Sequence, residues 1–150
     1  NNQEYRTEED IYELVCKVFN KEVEWSDVNI KRSWWLIAER RMFAKSVTES
    51  DEFLELSKNA QCLYYHLCMY ADDDGFINNV KSVLRIVGST KEDLEELKHT
   101  NYIHEFDSGI ILVMHWKAHN YIQKDRYKPT VYVDEKNKVE IIYGSAYVLK

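Results

Sequence analysis

The sequence has little proline or glycine, with one proline and four glycines among 150 residues. With 45% hydrophobic and 31% charged residues, this composition excludes a collagen-like, low-complexity or disordered chain. Uninterrupted apolar runs, such as 110–114, have at most about five residues, far fewer than the roughly 20 of a membrane-spanning helix. No signal-peptide pattern opens the sequence. We therefore expect a folded, soluble protein of the cytoplasm that has no membrane partner.

Cysteine is also scarce, and the motifs that mark enzymes are lacking. Cys16, Cys62 and Cys68 are odd in number and show no CxxC spacing, which argues against a disulfide framework and favours reduced, buried thiols. The sequence contains no GxSxG, P-loop or HExxH motif. We therefore expect a protein that is not an enzyme.

Two features resemble metal sites but lack the ligands that such sites need. His115 and His119 are four residues apart, but no third ligand follows at a matching spacing. The acidic run 72–74 precedes Gly75, as in a calcium-binding loop. Placing this glycine at the sixth position of such a loop puts a tyrosine at the first position and a lysine at the twelfth. We predict no metal and no cofactor, and we interpret 72–75 as the end of a helix.

Positive charge is in deficit, since 20 lysines and arginines face 26 aspartates and glutamates, a net charge of −6. This balance argues against a protein that coats nucleic acid through its overall field. Residues 1–38 carry eight acidic and five basic side chains, a net charge of −3, so the other 112 residues carry the remaining −3. Any nucleic-acid site must therefore be a local basic patch, and an acidic surface would also suit a basic protein partner.

Hydrophobic spacing predicts two helices in the acidic segment 1–38. The first follows Thr7, and the second starts at Ser26 and continues towards Met42. Trp34 and Trp35 are adjacent in the second helix, so their side chains must point in different directions.

The rest of the chain predicts a mixed helical and β-structure. The predicted elements are, in order, a helix capped by Ser57 and ended by 72–75, an extended piece at 76–78, a helix from Asn79 to Gly88, a helix capped by Ser89 or Thr90, and a hairpin of 102–106 with 110–116 around 107–109. A last hairpin pairs 139–143 with 146–149. This order predicts an α+β winged helix, meaning a helix-turn-helix followed by a β-hairpin wing.

Several segments of this region resemble a known family. They are 39–45, 50–54, 64–67, 71–76, 115–116 and, most specifically, 119–130 (HNYIQKDRYKPT). These segments are similar to the amino-terminal domain of replication-initiation (replisome organiser) proteins from phages and prophages of low-GC Gram-positive bacteria. The resemblance covers about residues 39–136.

The resemblance implies a winged-helix domain that marks a replication origin by binding DNA in the cytoplasm of a bacterial host cell. Family members continue into a region that engages helicase-loading partners, and we expect that region to be missing here. The expected organisation is an acidic helical extension at 1–38, a winged helix at 39–136 and a carboxy-terminal β-hairpin at 137–150.

The candidate DNA-binding surface is the basic stretch after the predicted wing, where cations alternate with amides and tyrosines. Cations neutralise phosphates, and amides and tyrosines contact bases or the backbone. We expect duplex DNA in preference to single strands. A solvated basic edge balanced by acids such as Asp125 stays an open alternative. The candidate residues are Arg40, Arg41, Lys81, Arg85, Lys91, Lys117, Asn120, Tyr121, Lys124, Arg126, Tyr127 and Lys128.

The helix predicted after Thr90 is acidic, although the corresponding helix of a winged helix normally enters the major groove. Either its acidic face is turned away from DNA, or DNA is not the ligand of this helix. The alternative function is a mobile-element inhibitor of a host defence nucleoprotein, in the manner of anti-CRISPR proteins, which binds a basic nucleic-acid-binding protein. The candidate residues for that role are Glu8, Glu9, Asp10, Glu13, Trp34, Trp35, Glu92, Asp93, Glu95 and Glu96.

Overall fold

The computed structural model describes residues 40–150. Its elements are α1 (Lys45–Thr48), α2 (Asp51–Glu55), α3 (Lys58–Tyr70), β1 (Phe76–Ile77), α4 (Val80–Val87), α5 (Lys91–His99), β2 (Ile103–Glu105), β3 (Ile111–Val113), α6 (Trp116–His119), α7 (Val133–Lys136), β4 (Val139–Ile142) and β5 (Ala146–Leu149). The two helices predicted in 1–38 lie outside the described residues, as do Glu8, Glu9, Asp10, Glu13, Trp34 and Trp35. None of the helices between residues 40 and 150 is long and apolar enough to cross a membrane.

Two small antiparallel sheets complete the described part of the chain. The first has the strand order β1-β3-β2, with Phe76 opposite Leu112 and Ile103 opposite Val113. The second contains β4 and β5, which form a hairpin. The domain is therefore of the α+β class, as predicted.

Local sequence signals define the segment that joins α4 to α5. Gly88 ends α4 in the left-handed conformation with φ of 74°, which a glycine adopts without steric cost. Thr90 starts α5 with a reciprocal capping box, in which the Asp93 carboxylate accepts the Thr90 backbone N–H at 2.8 Å. Both predicted helix ends are confirmed, and only three residues separate the two helices. The predicted cap of α3 is also confirmed, since the Ser57 hydroxyl accepts the Ala60 N–H.

The apolar run after the hairpin turn does not stay extended as far as predicted. Strand β3 ends at Val113, and His115 precedes the short helix α6 instead of lying in the strand. Two tertiary contacts accompany this change. The Met114 carbonyl accepts the N–H of Tyr147 in β5, and the indole N–H of buried Trp116 donates to the Asp73 carbonyl at 3.0 Å.

A single core connects these elements. Leu63, Tyr64 and Leu67 of α3 are fully buried, and the core extends to Val139 and Tyr147 of the carboxy-terminal hairpin. Burial of apolar area on this scale is the main force that holds the short elements together.

The prediction of buried thiols is only half correct for the described cysteines. Cys68 is buried in the core, as predicted, but Cys62 is exposed. Cys62 lies between two buried residues of α3, and each step along a helix rotates the side chain by about 100°. Its side chain therefore falls on the outer face of α3.

Candidate nucleic-acid interface

Helices α4 and α5 carry three exposed cations. Lys81 and Arg85 are exposed and four residues apart on α4, which places them on one face of that helix. Lys91 is the first residue of α5 and is also exposed. No carboxylate between residues 40 and 150 forms an ion pair with any of the three. Their charge is therefore available to an anionic ligand.

The acidic residues of α5 are less free than their number suggests. Asp93 is buried and holds the capping box, and the Glu96 carboxylate accepts the backbone N–H and the hydroxyl of Ser57, both at 2.7 Å. Glu95 pairs with Lys98 at 2.8 Å. Asp93 and Glu96 thus hold α5 in place.

Glu92 is exposed at the start of α5, and a hydrogen bond from Thr90 lowers the pKa of its carboxyl. The exposed carboxylates of this helix are therefore Glu92 and Glu95. The alternative function relied on four acidic contact residues in α5, and burial removes Asp93 from that set. The expected acidic row is correspondingly weaker.

Part of the predicted basic stretch folds back onto the acidic run 72–74. Asp74 is only 2% exposed, and its carboxylate accepts bonds from Lys117 Nζ at 3.2 Å, Tyr127 Oη at 2.8 Å and Lys136 Nζ at 2.8 Å. It also accepts the backbone N–H of Thr130 at 2.9 Å. Burial opposes ionisation of Asp74, but these donors outweigh it and lower the pKa of the carboxyl. The side chains of Lys117 and Tyr127 therefore anchor the chain.

Asp73 engages two further candidates in the same way. Arg41 Nη1 lies 3.1 Å from the Asp73 carboxylate, and Arg41 Nη2 donates to the Ala71 carbonyl at 2.7 Å. The Arg41 side chain is 2% exposed. The other oxygen of Asp73 accepts the backbone N–H of Lys128 at 3.0 Å.

Asn120 is buried, and its side-chain oxygen accepts the Met42 N–H at 3.0 Å. The expected DNA contacts of Arg41 and Asn120 are therefore corrected to structural contacts, because both side chains are buried on partners within the domain.

The outer part of the stretch keeps its charges exposed. Tyr121 is 82% exposed, and Lys124, Arg126 and Lys128 are exposed with no ion pair to any described carboxylate. Asp125 does not balance them, since no ion pair joins it to a described cation. Arg40 is likewise exposed.

Comparison of the chain with protein-family models, with curated proteins and with solved structures found no match. The function must therefore be inferred from the chemistry of the surface itself. Residues 40–150 carry 15 lysines and arginines against 17 aspartates and glutamates. The pairing at 72–74 also engages Arg41, Lys117 and Lys136, so it removes cations from the exposed charge as well as carboxylates.

Of the two histidines that suggested a metal pair, His119 is bonded within the domain, whereas His115 Nδ1 is buried with no hydrogen-bond partner among the described residues. His119 Nδ1 accepts the Ala44 N–H at 3.0 Å, and Nε2 lies 2.8 Å from the Tyr64 hydroxyl, so both ring nitrogens have partners. Within residues 40–150, no three histidine, cysteine or acidic side chains are grouped to hold a metal ion.

The anchoring role of Asp73 and Asp74 was not predicted. The run 72–75 indicated only a helix end, and Lys136 was not a candidate at all. One signal was available, because a helix can end without three consecutive aspartates and a cation-rich segment follows later in the sequence. Spacing of 43 residues between Asp74 and Lys117 hides such a pairing from any local pattern.

Proposed function

We propose that this domain is a winged helix that binds duplex DNA through α4, the three-residue turn and α5. The order α3-β1-α4-α5-β2-β3 and the sheet order β1-β3-β2 support this proposal, since a short turn containing glycine typically joins the two helices of a helix-turn-helix. The β2–β3 hairpin then corresponds to the wing. The resemblance of residues 39–136 to phage initiator domains points to the same architecture.

The observation that carries the proposal is the set of exposed cations on α4 and at the start of α5 that form no ion pair with a described carboxylate. In a helix-turn-helix the first helix crosses the DNA backbone, and the amino-terminal residues of the second helix contact base edges. Lys81 and Arg85 of α4 would then neutralise phosphates. Lys91 would donate a hydrogen bond to guanine in the major groove, and the Glu92 carboxylate would accept one from the amino group of cytosine.

The segment 124–128 adds a second group of phosphate contacts. Its chain path is fixed by the Tyr127 hydroxyl on Asp74 and by the Lys128 N–H on Asp73, while the three cationic side chains stay exposed. Anchoring a flexible basic segment before binding reduces the entropy lost on binding. With five phosphate contacts, from Lys81, Arg85, Lys124, Arg126 and Lys128, the salt slope would be near −4.5, at about −0.9 for each contact.

We place this binding in the initiation of phage or prophage replication, where the domain would mark an origin without catalysing a reaction. The inhibitor alternative is less well supported, because α5 offers Glu92 and Glu95 as exposed carboxylates and Asp93 is buried. A pull-down from host lysate with nuclease treatment separates the two functions. A stoichiometric protein that stays bound without nucleic acid would favour the inhibitor.

Fluorescence anisotropy with a labelled duplex of mixed sequence tests DNA binding. The double variant Lys81→Ala/Arg85→Ala should reduce the salt slope by about 1.8, since two phosphate contacts are removed. The matched control is Lys45→Ala/Lys150→Ala, which removes the same charge from two other exposed positions. We expect the control to keep the slope of the unmodified protein. The proposal is wrong if no duplex binds below about 10 µM at low salt, or if both double variants lose affinity equally.

A further inference from the structure

A groove of about 980 Å³ lies at the end of α5 opposite to the proposed DNA contacts. The groove is lined by Glu52 and Glu55 of α2, by Glu96 and Tyr102 in and just after α5, and by the residues of strand β5. Since α5 has nine residues and a helix rises 1.5 Å per residue, about 13 Å separate the two ends of this helix. A ligand in the groove therefore need not compete with DNA.

The groove is negatively charged but has apolar walls. Glu52, Glu55 and Glu96 line it, and no lysine or arginine does. Val47, Leu56, Met114, Val148 and Leu149 supply apolar contacts. This combination complements a ligand that carries both cations and apolar side chains.

The edge of strand β5 that faces away from β4 is paired with no other strand of residues 40–150, although the Met114 carbonyl bonds to this edge at Tyr147. The Lys150 N–H donates to the Lys138 carbonyl, which makes residues 138 and 150 a hydrogen-bonded pair of the β4–β5 ladder. Hydrogen-bonded and non-hydrogen-bonded pairs alternate in an antiparallel ladder, so Tyr147 and Leu149 direct their backbone groups away from β4.

The groups on this edge are mostly unpaired. The Tyr147 N–H is bonded to the Met114 carbonyl at 2.8 Å, which confirms the direction of the edge. Among the described residues, no partner is present for the Tyr147 carbonyl or for the Leu149 N–H. Edges of this kind accept an added strand, in which main-chain bonds give affinity and side-chain pockets give specificity.

We propose that this groove binds an extended, basic segment of a partner protein as an additional strand beside β5. Its lysine or arginine side chains would face Glu52 and Glu55, and its apolar side chains would contact Leu56 and Met114. Because the Tyr147 N–H already donates to Met114, the added strand would bond to the Tyr147 carbonyl and to the Leu149 N–H. A second copy of this chain is a poorer occupant, because pairing two such edges would bring the carboxylates of both grooves together.

The test uses the full chain and a fluorescein-labelled octapeptide of alternating lysine and valine, with blocked ends. We expect binding in anisotropy titrations, and no binding of the same peptide with glutamate in place of lysine. The double variant Glu52→Gln/Glu55→Gln should weaken binding by about tenfold, because two charges on the groove are removed. Asp134→Asn/Glu140→Gln is the matched control, since both carboxylates are exposed and neither lines the groove.

A backbone variant tests strand addition separately from charge. Leu149→Pro removes one outward N–H without removing a bond of the β4–β5 ladder, and proline is tolerated on edge strands. We expect this variant to lose peptide binding while keeping the circular dichroism spectrum of the unmodified protein.

Three results would overturn the proposal. They are equal binding of the lysine and glutamate peptides, unchanged affinity of the Glu52/Glu55 double variant, and self-association that Leu149→Pro abolishes, which would assign the edge to a second copy. DNA affinity of the Glu52/Glu55 variant, measured with the same duplex as above, reports on the proposed DNA function independently.

Discussion

Acidification from pH 7 to pH 5 should destabilise this protein through His119. The imidazole is 4% exposed, its Nδ1 accepts the Ala44 N–H, and its Nε2 therefore carries the proton and donates to the Tyr64 hydroxyl. A second proton, on Nδ1, would point at the Ala44 N–H, which is itself a donor and cannot accept it. Burial, with a smaller effect of the neighbouring His115, lowers the pKa of His119 to about 4.

The size and sign of the effect follow from the two pKa values. In the unfolded chain the histidine pKa is about 6.5, so below that pH the unfolded state takes up a proton that the folded state resists. Stability is therefore present above about pH 6.5 and is lost as the pH falls towards 4. The loss amounts to about 2 kcal/mol between pH 7 and pH 5, and to about 3.4 kcal/mol once both states are protonated.

Urea unfolding at pH 7 and pH 5 measures this loss. His119→Asn removes the titration, so its free energy of unfolding should fall by about 2 kcal/mol less than that of the unmodified protein over this range. At pH 7 the variant should be less stable, because the Tyr64 hydroxyl loses its partner. His99→Gln, at an exposed histidine, is the control and should behave as the unmodified protein does.

Burial also lowers the pKa values of His104 and His115, and these contribute in the same direction in all three proteins. The comparison between variants therefore isolates His119. Equal losses in the unmodified protein and in His119→Asn would refute the assignment of a buried, neutral imidazole.

Denaturant unfolding of three further variants tests the ion pairs of Asp74, the packing of Gly75 and the cap of α5. Asp74→Asn should cost about 3 kcal/mol, because two lysines lose a buried carboxylate, and a loss below about 1 kcal/mol would contradict the anchoring role. Gly75→Ala should cost about 2–4 kcal/mol, since φ is +93° and a Cβ would lie 2.7 Å from Trp116 Cγ. Gly109→Ala, with φ of +79° and open space around it, is the control and should cost about 1–2 kcal/mol. Thr90→Ala should cost about 1 kcal/mol through loss of the α5 cap, and an unchanged midpoint would argue against the capping box.

Features that depend on neighbours in the sequence were predicted correctly. Ser57 caps α3, Gly88 ends α4 and Thr90 starts α5, and the last hairpin turns around 144–145 as predicted, although its first strand ends at Ile142, one residue earlier than predicted. Each of these signals acts within about four residues, through a side chain that bonds a nearby backbone group or a residue that adopts positive φ. The α+β class follows from the order of such local elements.

The contacts of the basic stretch were not predictable in the same way. Lys117 and Tyr127 stand in the same alternating pattern as Lys124 and Arg126, yet the first two bind Asp74 and the last two stay exposed. No local difference distinguishes the members of this pattern. Their roles differ because the fold brings only Lys117 and Tyr127 within hydrogen-bonding distance of Asp74.

The sequence by itself determined the helices, the turns and the supply of cations after the hairpin, because those depend on bonds and periodicities that span a few residues. Only the tertiary structure decided which charged side chains form ion pairs within the domain. Asp73 and Asp74 are buried or nearly so, and burial makes an unpaired carboxylate costly. The chain therefore brings Arg41, Lys117 and Lys136 to them from distant positions, whereas Lys81, Arg85 and Lys91 form no ion pair with a described carboxylate and stay exposed.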